Sequence, residues 1–408
     1  MLKDKEYENA IRFYLDNTFD NSQKEIEVSD VLELNSEKAL TRYIASNAPK
    51  GFKFSTPMFV WWDLTSACNF RCIHCLYNDQ PYDDSNDLTD EEVYSLADFL
   101  IEDFHIVQAA LTGGEIFLRP KTLMNLIKKF KNNNVGVILA TNAALINDEH
   151  IEFLAKYLNP YTDRIQISLD GATSETFGKI RQTELFDKIT SNIQKLTQRG
   201  LRVTCCCTVN SINYDEIVET YKLAEKLGAS EFGAGSMLYF NESHAPLMVS
   251  SRDKMVLAQK LIQEKQHNKT RLNLGLFSSI ELVNIPEVVK ILEEEKYQKI
   301  FEQRIFLPAR SCNKNDRLSI RSDGRIYMCM DAECPEGLMG NIREQSLSEI
   351  WANKDSNVFF EDRTPEKLGC VECKYRTYCN SGCMAKAFKR TGSINTPEIE
   401  CRHCKVCK

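Results

Sequence analysis

Nowhere does this 408-residue chain approach the ~18 consecutive apolar residues that a membrane-spanning helix needs. Its first twenty residues, "MLKDKEYENAIRFYLDNTFD", are charged and amphipathic, with neither an apolar core segment nor a small-residue cleavage site, so they do not read as a secretory signal. Basic charge is not in excess either. A formal net charge of −7 removes any overall electrostatic reason to expect nucleic acid as a partner. Low-complexity stretches and long internal repeats are also missing. These absences lead us to expect a cytoplasmic globular protein, with no membrane and no nucleic acid among its partners.

Cysteine, by contrast, is plentiful, with 16 in the chain. In a reducing compartment, structural disulfides are disfavoured, and clustered cysteines point to metal binding or to chemistry. Cys205, Cys206 and Cys207 in "LRVTCCCTVN" are the exception. That stretch reads as a β-strand in which neighbours face opposite ways, so the three cannot share one metal and are assigned to the core. The other 13 fall into two zones, 68–75 and 312–407.

From "PMFVWWDL" onward the chain alternates strand and helix. Expected strands lie at 57–64, 105–112, 135–141, 164–170, 201–209 and 230–238, at the spacing of βα units. The segment "LTDEEVYSLADFL" opens with a capping box, Thr89 and Glu92. "TLMNLIKKF" carries its apolar residues at helical spacing, and "DEIVETYKLAEKLGAS" ends at Gly228, a natural helix terminator. Six such units imply parallel strands with right-handed crossovers, an α/β fold curling into a partial TIM-like (β/α)6 barrel. Chemistry in such folds gathers at the C-terminal ends of the strands. Residues 251–305 read as helical, and "LSIRSDGRIYM" reads as a hairpin around Ser322-Asp323-Gly324. The expected division is a helical segment at 1–55, a barrel with a helical bridge at 56–305, and a cysteine-rich domain at 306–408.

Directly after the first expected strand comes "SACNFRCIHC", which places Cys68, Cys72 and Cys75 in a C-x3-C-x2-C pattern. Iron–sulfur cubanes are held by cysteine thiolates, normally four. Three leave one iron open to an exogenous molecule. Zinc is the competing reading, but a closed structural zinc site needs a fourth ligand from elsewhere.

On these residues the chain resembles the radical S-adenosylmethionine (radical SAM) enzymes. The resemblance implies a [4Fe–4S] cluster on Cys68, Cys72 and Cys75 whose open iron chelates SAM. It also implies reductive cleavage of SAM to a 5′-deoxyadenosyl radical, which abstracts hydrogen from an unactivated C–H bond. "LTGGEIF" resembles the family's GGE segment, implying that Gly113, Gly114 and Glu115 hold the SAM amino group. "ISLDG", with Ser168 and Asp170, resembles another SAM-contacting segment. Arg181 is similar to an arginine that binds the SAM carboxylate, and His74 stands where an aromatic ring usually lies near adenine.

The second zone resembles the SPASM domain, a C-terminal extension that carries two auxiliary [4Fe–4S] clusters. The likeness rests on Cys312, Cys329 and "CVECKYRTYCNSGC" with Cys370, Cys373, Cys379 and Cys383, followed by Cys401. "GNIREQSLSEIW" at 340–351 resembles its connecting segment. One auxiliary cluster is then expected on Cys370, Cys373, Cys379 and Cys401, and the other on Cys312, Cys329 and Cys383. The latter is closed by Cys334 or left open for substrate. Cys404 and Cys407 exceed the pattern. A zinc ribbon is the bland alternative, because C-x2-C pairs are common in zinc sites.

Enzymes of this architecture mostly modify ribosomally made peptides or proteins. The expected function is therefore a peptide maturase that forms a thioether or carbon–carbon cross-link in a small precursor peptide. Electrons would come from a donor such as flavodoxin or ferredoxin. Formylglycine formation or maturation of another protein or cofactor precursor is the alternative, with Asp331 as the candidate base. Asp331 stands one position later than the pattern for that reaction has it, which on a strand would turn it to the other face. A non-catalytic redox relay is a third reading, opposed by the "GGE" and "SLDG" segments, which a relay does not need.

Overall fold

The computed structural model describes residues 55–77, 83–237, 242–276, 305–306, 315–364, 366–373 and 382–397. The expected N-terminal helices, Asn78, and Cys312, Cys379, Cys401, Cys404 and Cys407 lie outside the described residues.

Six strands follow one another in the expected places: β1 (Phe59–Asp63), β2 (Gln108–Thr112), β3 (Gly136–Thr141), β4 (Arg164–Ser168), β5 (Val203–Val209) and β6 (Glu231–Ser236). Each pairs in parallel with the next, in sequence order. Sequences such as "GVILAT" in β3 are nearly continuous in apolar residues because both faces of a parallel sheet are covered. Helices fill the crossovers: α1 (Asp90–Glu102), α2 (Pro120–Asn132), α3 (Asp148–Tyr157), α4 (Ser174–Arg181), α5 (Phe186–Gln198) and α6 (Ile217–Lys226). The capping box of α1 is formed, with Thr89 and Glu92 satisfying each other's backbone N–H. α2 begins on Pro120, whose missing N–H costs nothing at that position, and buries Leu123, Leu126, Ile127 and Phe130. Gly228 has φ +85°, the left-handed conformation that stops the α6 segment.

The sheet extends past the six strands at both ends. Residues 251–305 are not wholly helical as expected. After α7 (Ser251–Lys265), "RLNLGL" forms β7 (Arg271–Leu276), parallel to β6. Leu272 and Leu274 are buried while Arg271 and Asn273 are partly exposed, the period-two alternation of a strand, which a six-residue window beside a charged helix conceals. β8 (Ile305–Phe306) adds two more paired residues.

At the other end, the expected hairpin is present as β9 (Arg317–Ile320) and β10 (Arg325–Tyr327), with Gly324 at φ +87° in the turn. β11 (Leu338–Asn341) continues it, and β9 lies parallel against β1. The C-terminal region thus hydrogen-bonds into the barrel sheet through the strand that leads to the three-cysteine loop. Further ties reinforce this seam. Leu88 N–H donates to Ser322 O at 2.7 Å. Arg343 forks onto Glu92 at 2.9 Å from both Nε and Nη2 and also donates to the Asn86 and Asp87 carbonyls. Beyond the sheet lie α8 (Leu347–Ala352), whose Trp351 indole donates to Ser55 O at 2.6 Å, and α9 (Met384–Thr391).

Candidate metal and cofactor site

The loop that leaves β1 passes directly over the end of β2, and two glycines make that crossing possible. Gly114 N–H donates to Thr65 O at 2.7 Å, and Glu115 N–H donates to Ala67 O at 2.9 Å. A Cβ on Gly114 would stand 2.1 Å from Ala67 O, and one on Gly113 2.4 Å from Thr65 O. Gly113 also has φ +142°, which only glycine adopts readily. What approaches these glycines closely is the backbone just ahead of Cys68.

Beyond this crossing, Cys68, Cys72 and Cys75 all line one cavity of about 400 Å³ at the C-terminal ends of the strands. Gly113, Gly114, Ser168, Arg181 and His74 line it too. Burial pushes the Cys68 thiol up to about 11 and raises Cys72 as well, with the Arg181 guanidinium opposing the second shift. Thiols raised in this way become good ligands when a bound cation replaces the missing solvation. Among the described residues, no three His, Cys, Asp or Glu side chains gather about a single metal ion.

Arg181 and Asp170 form the electrostatic centre of the wall. Arg181 Nε donates to Asp170 Oδ2 at 2.5 Å, and its Nη1 points at the Cys72 sulfur at 3.6 Å. Asp170 is fully buried and also accepts from Thr208 N–H at 2.7 Å. It does not line the cavity itself; it holds the arginine that does. His74 Nε2 stands 3.6 Å from the same carboxylate. Burial lowers the imidazole to about 4, partly offset by Asp170, so His74 is neutral at ordinary pH.

Glu115 is placed differently from its glycines. It is 1% exposed and accepts from Phe117 N–H, Thr141 Oγ1 and Asn142 N–H at 3.0, 2.7 and 2.8 Å. Its carboxylate thereby fastens the end of β3 beneath the cavity, whereas Thr141 and Asn142 reach the cavity itself.

The opposite wall comes from the C-terminal region: Met330, Asp331 and Lys386. Asp331 lies in a short 3-10 turn, Met330–Ala332, and not on a strand. The alternation expected to turn it away therefore does not apply, and Met330 and Asp331 both face the cavity. The Cys383 thiol is 3.8 Å from Asp331 Oδ2. Cys329 and Cys334 flank this turn, and Cys370 and Cys373 follow on one short loop, with Cys373 N–H donating to Cys370 O at 3.0 Å.

Several features escaped the sequence reading. Cys206, assigned to the core, is only partly buried and lines the cavity beside its strand neighbour Ser168, and Cys207, though buried, borders it too. The signal was available, since the middle of three strand cysteines must face opposite to Cys205. Lys386 and Tyr77 also line the cavity, and nothing in their local sequence marks them.

Known proteins share sequence and fold with this chain. Residues 62–224 match the family model of the radical SAM superfamily. Residues 312–384 match that of the SPASM iron–sulfur cluster-binding domain. An AdoMet-dependent heme synthase of Methanosarcina barkeri is 26% identical over 356 residues, covering 85% of this chain and 97% of that protein. Mycofactocin maturase MftC of Mycobacterium tuberculosis is 26% identical over 364 residues, covering 85% and 83%. Among solved structures, SuiB of Streptococcus suis bound to S-adenosylmethionine superposes with a TM-score of 0.67 at 17% identity, covering 89% of this chain and 82% of that one. SuiB has also been solved bound to precursor peptide SuiA.

Proposed function

This chain belongs to the radical SAM superfamily and carries a SPASM domain after its barrel, and from that premise we propose that it oxidatively modifies a small ribosomally made precursor peptide by an intramolecular thioether or carbon–carbon cross-link. The observation that carries the reading is the two-sided cavity. One wall is the three-cysteine loop with Gly113, Gly114 and Arg181; the other is Met330, Asp331 and Lys386 from the auxiliary region.

The donor set fits a cluster with one open iron, because the loop after β1 brings three thiols, Cys68, Cys72 and Cys75, to that wall. Cys68, Cys72 and Cys75 would hold it, and Ser168, Arg181, His74 and the Gly113–Gly114 backbone would receive SAM. When bound, cluster and SAM supply hydrogen-atom abstraction from an unactivated C–H bond. The protein's own part is positional. Asp170 fixes the Arg181 guanidinium beside Cys72, where it offers positive charge to a carboxylate. Glu115 holds the floor rigid, and neutral His74 presents a planar face without adding charge. Across the cavity, Asp331, which lines it, would accept a proton from a substrate group.

We assign the auxiliary clusters as the sequence reading has them, with Cys329, Cys334 and Cys383 near Asp331, and with flavodoxin or ferredoxin as the electron source. The same reading divides the chain near residues 55 and 305. A second reading, action on a cofactor precursor, is favoured by the heme synthase match, which spans 97% of that protein. Among the described residues, no helix is long and apolar enough to cross a membrane.

The test is anaerobic reconstitution followed by reduction with SAM and a cysteine-rich candidate precursor peptide. Formation of 5′-deoxyadenosine together with loss of two hydrogens from the peptide supports the reading. SAM cleavage with modification of tetrapyrrole precursors alone moves the assignment to the second.

A further inference from the structure

Arg321 leaves the end of β9 and is 6% exposed. Its guanidinium meets three segments, one of them the end of β1, which pairs with β9. Nη1 donates to Asp63 Oδ2, at the last residue of β1, and to the Tyr77 hydroxyl. Nε stands 3.3 Å from Glu333 Oε1. The guanidinium carbon also lies 4.1 Å from the centre of the Tyr77 ring, a cation–π distance.

The sequence positions of these partners give the cluster its meaning. Tyr77 is two residues past Cys75 and itself lines the cavity. Asp63 ends the strand from which the three-cysteine loop departs. Glu333 immediately precedes Cys334, in the turn that begins at Cys329. A single buried cation therefore touches the exit of one cysteine loop, the root of that loop and the middle of the other. Two carboxylates balance its charge, and Arg325 Nη2 approaches Glu333 from outside at 3.8 Å.

A pair with any one of these partners would be simpler, yet Arg321 meets all three. A pair with Asp63 would close the β1–β9 seam without involving either cysteine loop. The fork geometry of guanidinium allows simultaneous contacts that a point charge on a flexible stem does not hold. Buried groups of this kind, once one partner is removed, leave an uncompensated charge.

We propose that Arg321 is a positioning residue that couples the three-cysteine loop to the Cys329–Cys334 turn, setting where Tyr77 and the SAM-facing wall stand relative to the auxiliary region. This rests on the reading that Cys68, Cys72 and Cys75 hold the SAM-binding cluster. It assigns to Arg321 and Tyr77 a role that neither has as a ligand.

The test uses the full chain, anaerobically reconstituted, as R321K, Y77F and the double variant. Iron content, SAM dissociation constant by equilibrium dialysis, and the EPR spectrum of the reduced protein with and without SAM are compared with wild type. Losing an outer partner of a metal site typically costs about 10- to 100-fold in affinity or activity, so R321K is expected to keep its iron while weakening SAM binding about tenfold. It should also alter the SAM-dependent change in the EPR signal. Y77F, the milder change, should shift both in the same direction, and the double variant should be no worse than R321K. Unchanged SAM affinity and EPR response in R321K would overturn the coupling, as would additive losses in the double variant. If R321K does not fold, Y77F alone decides: a wild-type EPR response there overturns the proposal. A wild-type protein that takes up no iron at 68–75 instead overturns the underlying cluster assignment, and the coupling with it.

Discussion

Arg181 and Asp170 form a buried ion pair at 2.5 Å that stands between the barrel wall and the three-cysteine loop. The arginine comes from the last residue of α4, the aspartate from the segment after β4, and the free end of the guanidinium points at Cys72. One pair thus orients the cation nearest the thiols.

The first prediction concerns that pair. Removing one partner of a buried pair leaves the other charge uncompensated, at a cost of about 3–5 kcal/mol. Asp170→Ala should lower the thermal midpoint markedly and weaken SAM binding, since Arg181 loses its support and Thr208 N–H its acceptor. Differential scanning calorimetry with SAM dialysis checks this. A stable variant with intact SAM affinity would show that Arg181 needs no such orientation.

A second prediction follows from the glycine crossing. Gly114→Ala places a Cβ against the Ala67 carbonyl, where only backbone movement relieves the contact. The three-cysteine loop should be displaced, and reconstituted iron should fall by about four atoms per chain, one cubane. Iron analysis and absorbance near the sulfur-to-iron band measure it. Full iron loading would mean that the loop tolerates a different path.

The Glu92–Arg343 fork gives a pH dependence across the seam. The Arg343 hydrogen bonds, helped by the Thr89 contacts and opposed by burial, hold Glu92 down at about 2. A depressed carboxylate contributes stability above its unfolded value, about 4.3, and loses it as pH falls toward the folded value. Both side chains are about a third exposed, so the contribution is modest, at most about 1 kcal/mol. Thermal melts of wild type and Glu92→Gln should differ at pH 7, the difference shrinking below about pH 4 and closing only as pH falls to about 2. A difference that grew on acidification would contradict the assignment.

How much of this could be read from sequence depends on the range of the interaction. The six strands, the α1 capping box and the Ser322-Asp323-Gly324 turn are local patterns, and they stand where the spacing put them. That Cys68, Cys72 and Cys75 would share one cavity was legible because they lie within eight residues. β7 was hidden because six alternating residues cannot outweigh the charged helical surroundings. The parallel pairing of β9 with β1 joins residues some 258 positions apart, as does the Arg321–Asp63 contact, and no local rule predicts such register. Glu115 shows the limit from the other side: its neighbours Gly113 and Gly114 line the cavity, but its own hydrogen bonds turn it under the floor.

The most direct measurement is SAM cleavage by reconstituted protein carrying alanine at Cys68, Cys72 and Cys75 together, compared with wild type. With three cubanes, wild type should hold about twelve irons and form 5′-deoxyadenosine on reduction. The triple variant should retain about eight irons and form none. Cleavage that survives in the variant, or wild-type protein that holds tight zinc and yields no 5′-deoxyadenosine, would contradict the account.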